Sequence, residues 1–117
     1  MKNSIPLKLF KQSLLAIGTI ALTSAAYGAV DADAAASLAK KNDCLKCHAI
    51  DKDKKATSFK KIAEKWKGKA DAQAKLTDTL TKSPKVKLKD GTEEDHKPIG
   101  TKDANEIKNI VDWILSR

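Results

Sequence analysis

Two cysteines and a histidine fall within five residues, in the run Cys44-Leu45-Lys46-Cys47-His48. These are the chain's only cysteines, and its only other histidine is His96. One pair of thiols permits at most one disulfide, which excludes a disulfide-rich scaffold. The 117 residues suffice for one small domain, and 41% hydrophobic against 32% charged is a globular balance. Large core-forming side chains are scarce, because the aromatics are limited to Phe10, Tyr27, Phe59, Trp66 and Trp113. Whatever folds around this motif does so with little bulk of its own.

The first thirty residues shrink the domain further. Lys2, Lys8 and Lys11 make a basic start, and no acidic residue precedes Asp31. An apolar run follows, Leu14-Leu15-Ala16-Ile17-Gly18-Thr19-Ile20-Ala21-Leu22, and then small residues. Either Ala26-Tyr27-Gly28 or Ser24-Ala25-Ala26 fits a small-x-small cleavage rule, which completes the order of an export signal. The rival reading is an uncleaved membrane anchor, since no charge occurs from Gln12 to Val30. Gly18, Thr19, Thr23, Ser24 and Gly28 dilute that stretch, whereas a spanning helix wants about 20 mostly apolar residues. We therefore expect residues 1–28 to be a signal peptide and 29–117 the domain, delivered to the periplasm. Of 117 residues, removal of 28 leaves 89; of 23 basic residues, removal of three lysines leaves 20 against 15 acids, so +8 becomes +5. Met1, the only methionine, leaves with the signal. A domain this small often needs a disulfide, metal or cofactor for stability.

Periodicity in the remainder is helical. Asp31 and Asp33 precede Ala34–Lys41, a short helix with acids at its positive end and lysines at its negative end, leaving at Asn42-Asp43. Residues 49–57 are polar and read as loop. Phe59, Ile62, Ala63 and Trp66 recur at i, i+3, i+4 and i+7, one helical face, and Gly68 ends that helix. Leu76 and Leu80 mark another short helix from about Asp71, stopped before Pro84. Residues 83–100 hold Pro84, Gly91, Pro98 and Gly100 and are too broken for a long element, with Val86 and Leu88 as a short extended piece. Asp103 followed by Glu106 opens the last helix in the manner of a capping box. Ile107, Ile110, Val111, Ile114 and Leu115 then share a face, with Trp113 beside it. The expectation is an all-α domain of four short helices, with no competing strand pattern.

The C-x-x-C-H pattern reads as c-type haem attachment. Each thiol can add to one vinyl group of the porphyrin, and a histidine directly after the second cysteine can bring its imidazole under the iron. Blander readings stand beside it. A disulfide leaves His48 unexplained. A thioredoxin-like redox pair wants a βαβ context that is missing. A zinc site could recruit Cys44, Cys47, His48 and His96, yet adjacent Cys47 and His48 suit one tetrahedral ion poorly, and the usual histidine spacing is absent. Chance is the last. The export signal, the helical domain and the shortage of core aromatics favour haem.

The chain resembles the class I c-type cytochromes, the small monohaem type, over nearly all of residues 32–117. Three pieces carry the likeness: the short helix running into Cys44-Leu45-Lys46-Cys47-His48, the segment Ser58-Phe59-Lys60-Lys61-Ile62-Ala63-Glu64-Lys65-Trp66, and the final helix with Val111-Asp112-Trp113-Ile114-Leu115. The resemblance implies a cytochrome c-like fold whose first and last helices cross, one covalent haem c with its iron in the core, and electron transfer in the periplasm. It implies thioether bonds to Cys44 and Cys47, with His48 as proximal ligand.

Two departures from that family pattern are informative. Most relatives supply a methionine to the iron's other side from the loop before the last helix, roughly sixteen residues before its Trp. That count from Trp113 lands at Lys97, beside His96, and no methionine is there. His96 is the candidate distal ligand, giving bis-histidine iron. Lys89, Lys97, Asn105 or an open distal face are weaker alternatives, and the bland reading of His96 is a solvated loop residue among Glu93, Glu94 and Asp95. Second, Lys55-Ala56-Thr57-Ser58 stands where relatives often have Gly-Pro, whose Pro carbonyl commonly accepts the proximal histidine's Nδ1–H. The Thr57 carbonyl is the candidate substitute.

No second cofactor or acid–base constellation is visible, so the reading is a non-enzymatic electron carrier of lowered potential. The alternative is a haem protein that binds NO, CO or O₂ at an open or displaceable distal site. Lys40, Lys41, Lys46, Lys52, Lys54, Lys55, Lys60, Lys61, Lys65, Lys67 and Lys69 crowd the half that holds the motif. They form a solvated basic face by default, or a docking surface for an acidic redox partner. Nucleic acid is not expected, because the basic charge is interleaved with acids in an exported chain. No small-molecule substrate is implied, and a monomer is expected.

Overall fold

Helices form where the apolar spacing places them, and their ends are set by individual polar side chains. The computed structural model describes residues 29–117, so the expected signal peptide lies outside the described residues. In chain order the elements are α1 (Ala32–Lys41), α2 (Cys44–Cys47), α3 (Phe59–Trp66), α4 (Ala72–Lys82), β1 (Lys85–Lys87), β2 (Glu93–Asp95) and α5 (Ala104–Leu115). Asp31 caps α1 by accepting from Ala34 N at 2.9 Å, so the helix starts two residues earlier than expected and takes Asp33 into its first turn. Ser58 Oγ caps α3 through Lys61 N, and Asp103 caps α5 through Asn105 N and Glu106 N. Gly68 leaves α3 at φ +74°, and Ser83 leaves α4 at φ 49°, both left-handed, ahead of Pro84.

The fold is all-α in character, with two additions to the expected four helices. The fifth, α2, is one turn long and has too few residues to show an apolar period. The extended piece at Val86 is half of an antiparallel pair, in the register Lys85↔Asp95, Val86↔Glu94 and Lys87↔Glu93. Its second strand is wholly exposed and acidic, so no alternation of apolar residues announces it. Opposite charges across the pair, as in Lys85–Asp95 at 3.2 Å, favour the register.

Helix α5 packs on α1, α3 and α4, and the core collects around it. Ala35 and Ala39 of α1 are 1% and 0% exposed, and Ile110 and Val111 of α5 are both 0% exposed. Methyl-sized side chains at i and i+4 let the two helices approach closely, and the branched residues of α5 fill the space between. Asn109 locks the crossing: its carboxamide accepts from Asp31 N at 2.9 Å and donates to Asp31 O at 2.8 Å. Trp113, expected beside the apolar face, is buried, whereas Leu115 is only partly covered. The reason is its edge-on contact with Phe59 of α3, centroid to centroid 5.6 Å at 68°.

Because the α1–α5 seam has no slack, Ala39→Leu should cost about 1–3 kcal/mol of stability by overpacking. Urea unfolding of the haem-loaded protein measures this, and an unchanged midpoint would show that the seam can yield.

Candidate functional site

The cysteine motif is presented by a break in the chain. Asn42 stops α1, its backbone N–H reaching Leu38 O and Lys40 O and its Nδ2 donating to Leu38 O at 2.9 Å. Asp43 then takes left-handed backbone angles, φ 59° and ψ 18°, which short polar side chains tolerate better than most. The chain re-enters one helical turn, closed by His48 N donating to Cys44 O at 2.9 Å. Cys44 and Cys47 stand three residues apart on that turn and share a face. Both are half-buried free thiols, so the disulfide reading has no support in the geometry. Burial pushes the Cys44 thiol up, so it rests as a neutral thiol. Among the described residues no three His, Cys, Asp or Glu side chains converge as a metal cluster, so the four-ligand zinc arrangement is not assembled.

His48 is held from two sides. Its Nδ1–H donates to the Thr57 carbonyl at 2.6 Å, the contact expected of the segment that lacks Gly-Pro. A carbonyl only accepts, so the proton sits on Nδ1 and the lone pair on Nε2. Phe59 stacks on the ring at 5.0 Å and 19°. The intervening loop is pinned by Ala56 N to Cys47 O, Phe59 N to Ala49 O and Lys60 N to Ile50 O. Asp53, which the sequence does not single out, accepts from Ser58 N at 2.9 Å and pairs with Lys61 at 2.8 Å and Lys89 at 3.0 Å.

His96 is brought to the same place from the other end of the domain. Its backbone N donates to Pro84 O at 2.9 Å, and Ile99 N donates to Leu80 O at 2.8 Å. Gly100 N donates to Asn42 Oδ1 at 2.6 Å, and Lys97 pairs with Asp43 at 2.7 Å. The His48 and His96 rings lie 6.5 Å apart, tilted by 42°. His96 Nδ1 is buried with no hydrogen-bond partner among the described residues. Burial, helped by the neighbouring His48, holds the His96 imidazole below its ordinary pKa and so in the neutral, ligating form. The other distal candidates are placed less well. The Lys89 and Lys97 ammoniums are engaged by Asp53 and Asp43, and Asn105 is exposed in the first turn of α5. Asn42 and Asp43 act on residues more than fifty positions away, so no local pattern marks them.

Both imidazoles border a cavity of about 580 Å³, lined also by Cys44, Cys47, Leu80 and Ile110 among others. That is the size of a cofactor pocket, which runs from about 300 to 1,000 Å³. The 6.5 Å between ring centres leaves room for a metal ion that His48 and His96 would hold, each through one nitrogen at about 2.0 Å. Paired free thiols, an oriented imidazole and an apolar cavity define a small protein built to hold a covalent haem.

The chain belongs to the cytochrome c family, whose profile matches residues 32–117. Among solved structures it is similar to the class 1 cytochrome MtoD of Sideroxydans lithotrophicus ES-1, with 57% identity and a TM-score of 0.73, covering 75% of this chain and 97% of that one. It is also similar to wild-type cytochrome c552 of Nitrosomonas europaea, at 30% identity and TM-score 0.55 over 69% of this chain and 96% of the other. A comparison with curated protein sequences gives no match. As a member of this family the chain carries one covalently bound haem c with its iron and transfers electrons.

Gly100 is where the distal loop touches Asn42. A Cβ there would lie 2.9 Å from Asn42 Oδ1, so the carboxamide must retreat and weaken its bonds to Gly100 N and Leu38 O. Gly100→Ala should cost about 0.5–1.5 kcal/mol, the net scale of one hydrogen bond. Denaturant unfolding reads the loss, and wild-type stability would mean that the loop does not depend on this contact.

Proposed function

We propose that residues 29–117 are the mature part of a periplasmic electron carrier, exported by the segment 1–28. Its haem is attached through Cys44 and Cys47, and its iron is held between His48 and His96. The observation that carries this reading is the pair of imidazoles, 6.5 Å apart, that line one cavity with both thiols. When bound, the haem supplies one-electron chemistry at its iron. The chain's own residues do the rest. Thr57 and Phe59 fix the His48 ring, and the backbone anchors at Pro84, Leu80 and Asn42 fix the loop of His96. Leu80, Ile110 and Ile114 make an apolar wall that limits water near the site. Two ligands held this firmly in both oxidation states keep reorganisation small, which suits electron transfer rather than turnover of a small-molecule substrate. Histidine in place of methionine lowers the potential relative to Met/His iron.

No helix among the described residues is long and apolar enough to cross a membrane. The mature chain works as a monomer that docks redox proteins through its basic half. Lys46, Lys55 and Lys61 are paired with Asp43, Glu94 and Asp53. Of the others, Lys54 donates to the Leu45 carbonyl and Lys65 and Lys69 lie over Trp66, while Lys40, Lys41, Lys52, Lys60 and Lys67 make no ion pair among the described residues and are available to an acidic partner. Leu45, 38% exposed between the two cysteines, offers an apolar contact at the centre.

Optical spectra test the ligand set. The wild type should be low-spin when oxidised and when reduced, and indifferent to CO. His96→Ala should give a high-spin ferrous form that binds CO, and His96→Met should raise the potential. A CO-binding wild type, or an unchanged spectrum after His96→Ala, would remove His96 from the iron. For docking, the reduction rate with an acidic partner should fall as ionic strength rises. A salt-independent rate would argue against the lysine surface.

A further inference from the structure

The hydrogen-bond chain on the proximal side does not end at Thr57. The carbonyl that accepts from His48 Nδ1 at 2.6 Å belongs to the same peptide group as Ser58 N–H, which donates to Asp53 Oδ1 at 2.9 Å. One planar, resonance-coupled amide therefore joins a carboxylate to the imidazole. An anion at the N–H end of an amide increases the negative charge on its oxygen, and successive hydrogen bonds strengthen one another. A stronger acceptor draws the Nδ1 proton outward and makes the ring a better electron donor at Nε2.

The arrangement is built rather than incidental. Asp53 is largely covered, 18% exposed at the side chain, and its second oxygen is held by Lys61 and Lys89. The Lys61 bond and the Ser58 N–H keep its carboxyl well below the usual carboxylate range, so it is charged at neutral pH. Ser58 is fully buried and its hydroxyl caps α3, which leaves the 57–58 peptide little freedom to rotate. The contact lies within Lys55-Ala56-Thr57-Ser58, the segment that lacks a Gly-Pro pair.

We propose that Asp53 is a positioning residue for the haem iron: through the 57–58 peptide it strengthens the His48–Thr57 hydrogen bond and so holds the potential down. This rests on His48 as the proximal ligand. The test uses haem-loaded protein carrying Asp53→Ala or Asp53→Glu, with Asp78→Asn as a control. Asp78 is an exposed acid paired, among the described residues, only with Lys82, so that variant removes a carboxylate from a site unconnected to His48. Two quantities are read: the proton resonance of His48 Nδ1–H in the diamagnetic ferrous protein, and the reduction potential.

Asp53→Ala should shift that resonance upfield, speed its exchange with solvent and raise the potential. Asp53→Glu should move both readings back toward wild type, and Asp78→Asn should move neither. A raised potential with an unmoved Nδ1–H resonance would mean ordinary through-space charge and overturn the proposal, as would no change in either. If the alanine variant does not fold, Asp53→Asn keeps an acceptor for Ser58 while losing the charge. The same direction of shift is then expected, and an unmoved resonance overturns the idea. Failure of the ligand reading would show separately, as wild-type His48 ring protons lacking the ring-current shift of a haem ligand.

Discussion

Everything in this domain hangs on the close approach of its first and last helices. Two alanines of α1, Ala35 and Ala39, accept Ile110 and Val111 of α5 with no exposed surface left between them. That seam joins the two ends of the described chain and gives α3 and α4 a common wall. From the other side of α5, Ile110 and Ile114 also border the haem cavity. The same helix thus closes the core and shapes the space that the domain's few aromatics leave open.

Holding two histidines across that space is a problem of loops, and the protein solves it with backbone hydrogen bonds. On the His48 side, the loop returns on itself through Ala49, Ile50 and Cys47 carbonyls, and Phe59 presses flat on the ring. On the His96 side, the segment after the hairpin is tied to Pro84, Leu80 and Asn42. The His96 segment is thereby tied to the residues just before Cys44: Asn42 binds Gly100, and Asp43 binds Lys97 as well as Lys46 of the motif. The left-handed Asp43 therefore turns the chain into the cysteine turn and also braces the opposite wall. Relative to an arrangement in which each loop stood alone, this shared bracing limits motion of one imidazole against the other.

Charge plays two separate roles around the site. Acids that face inward to the loops, Asp43 and Asp53, are consumed by lysines and backbone N–H groups and act as struts. Most lysines of the motif half make no ion pair among the described residues, and Leu45 is exposed among them. The first role demands fixed geometry. The second, on the proposed docking reading, needs only density of charge, which many residues can share.

Much of this was legible in the amino-acid order alone. The spacing of Phe59, Ile62, Ala63 and Trp66, the capping acids Asp31 and Asp103, and the Cys44–His48 motif each report on their own few residues, because helix period, capping and ligand spacing are local. The distance of His96 from Trp113 was readable as well, once the likeness to class I cytochromes supplied a ruler. The single-turn α2 and the acidic strand β2 were not, since one is shorter than a helical period and the other carries no apolar alternation. Tertiary structure decided which polar residues matter to the site. Asn42 meets Gly100 and Asp53 meets Lys89 only because chain closure brings them together, and a hydrogen bond formed across such a separation leaves no trace in the residues next to either partner.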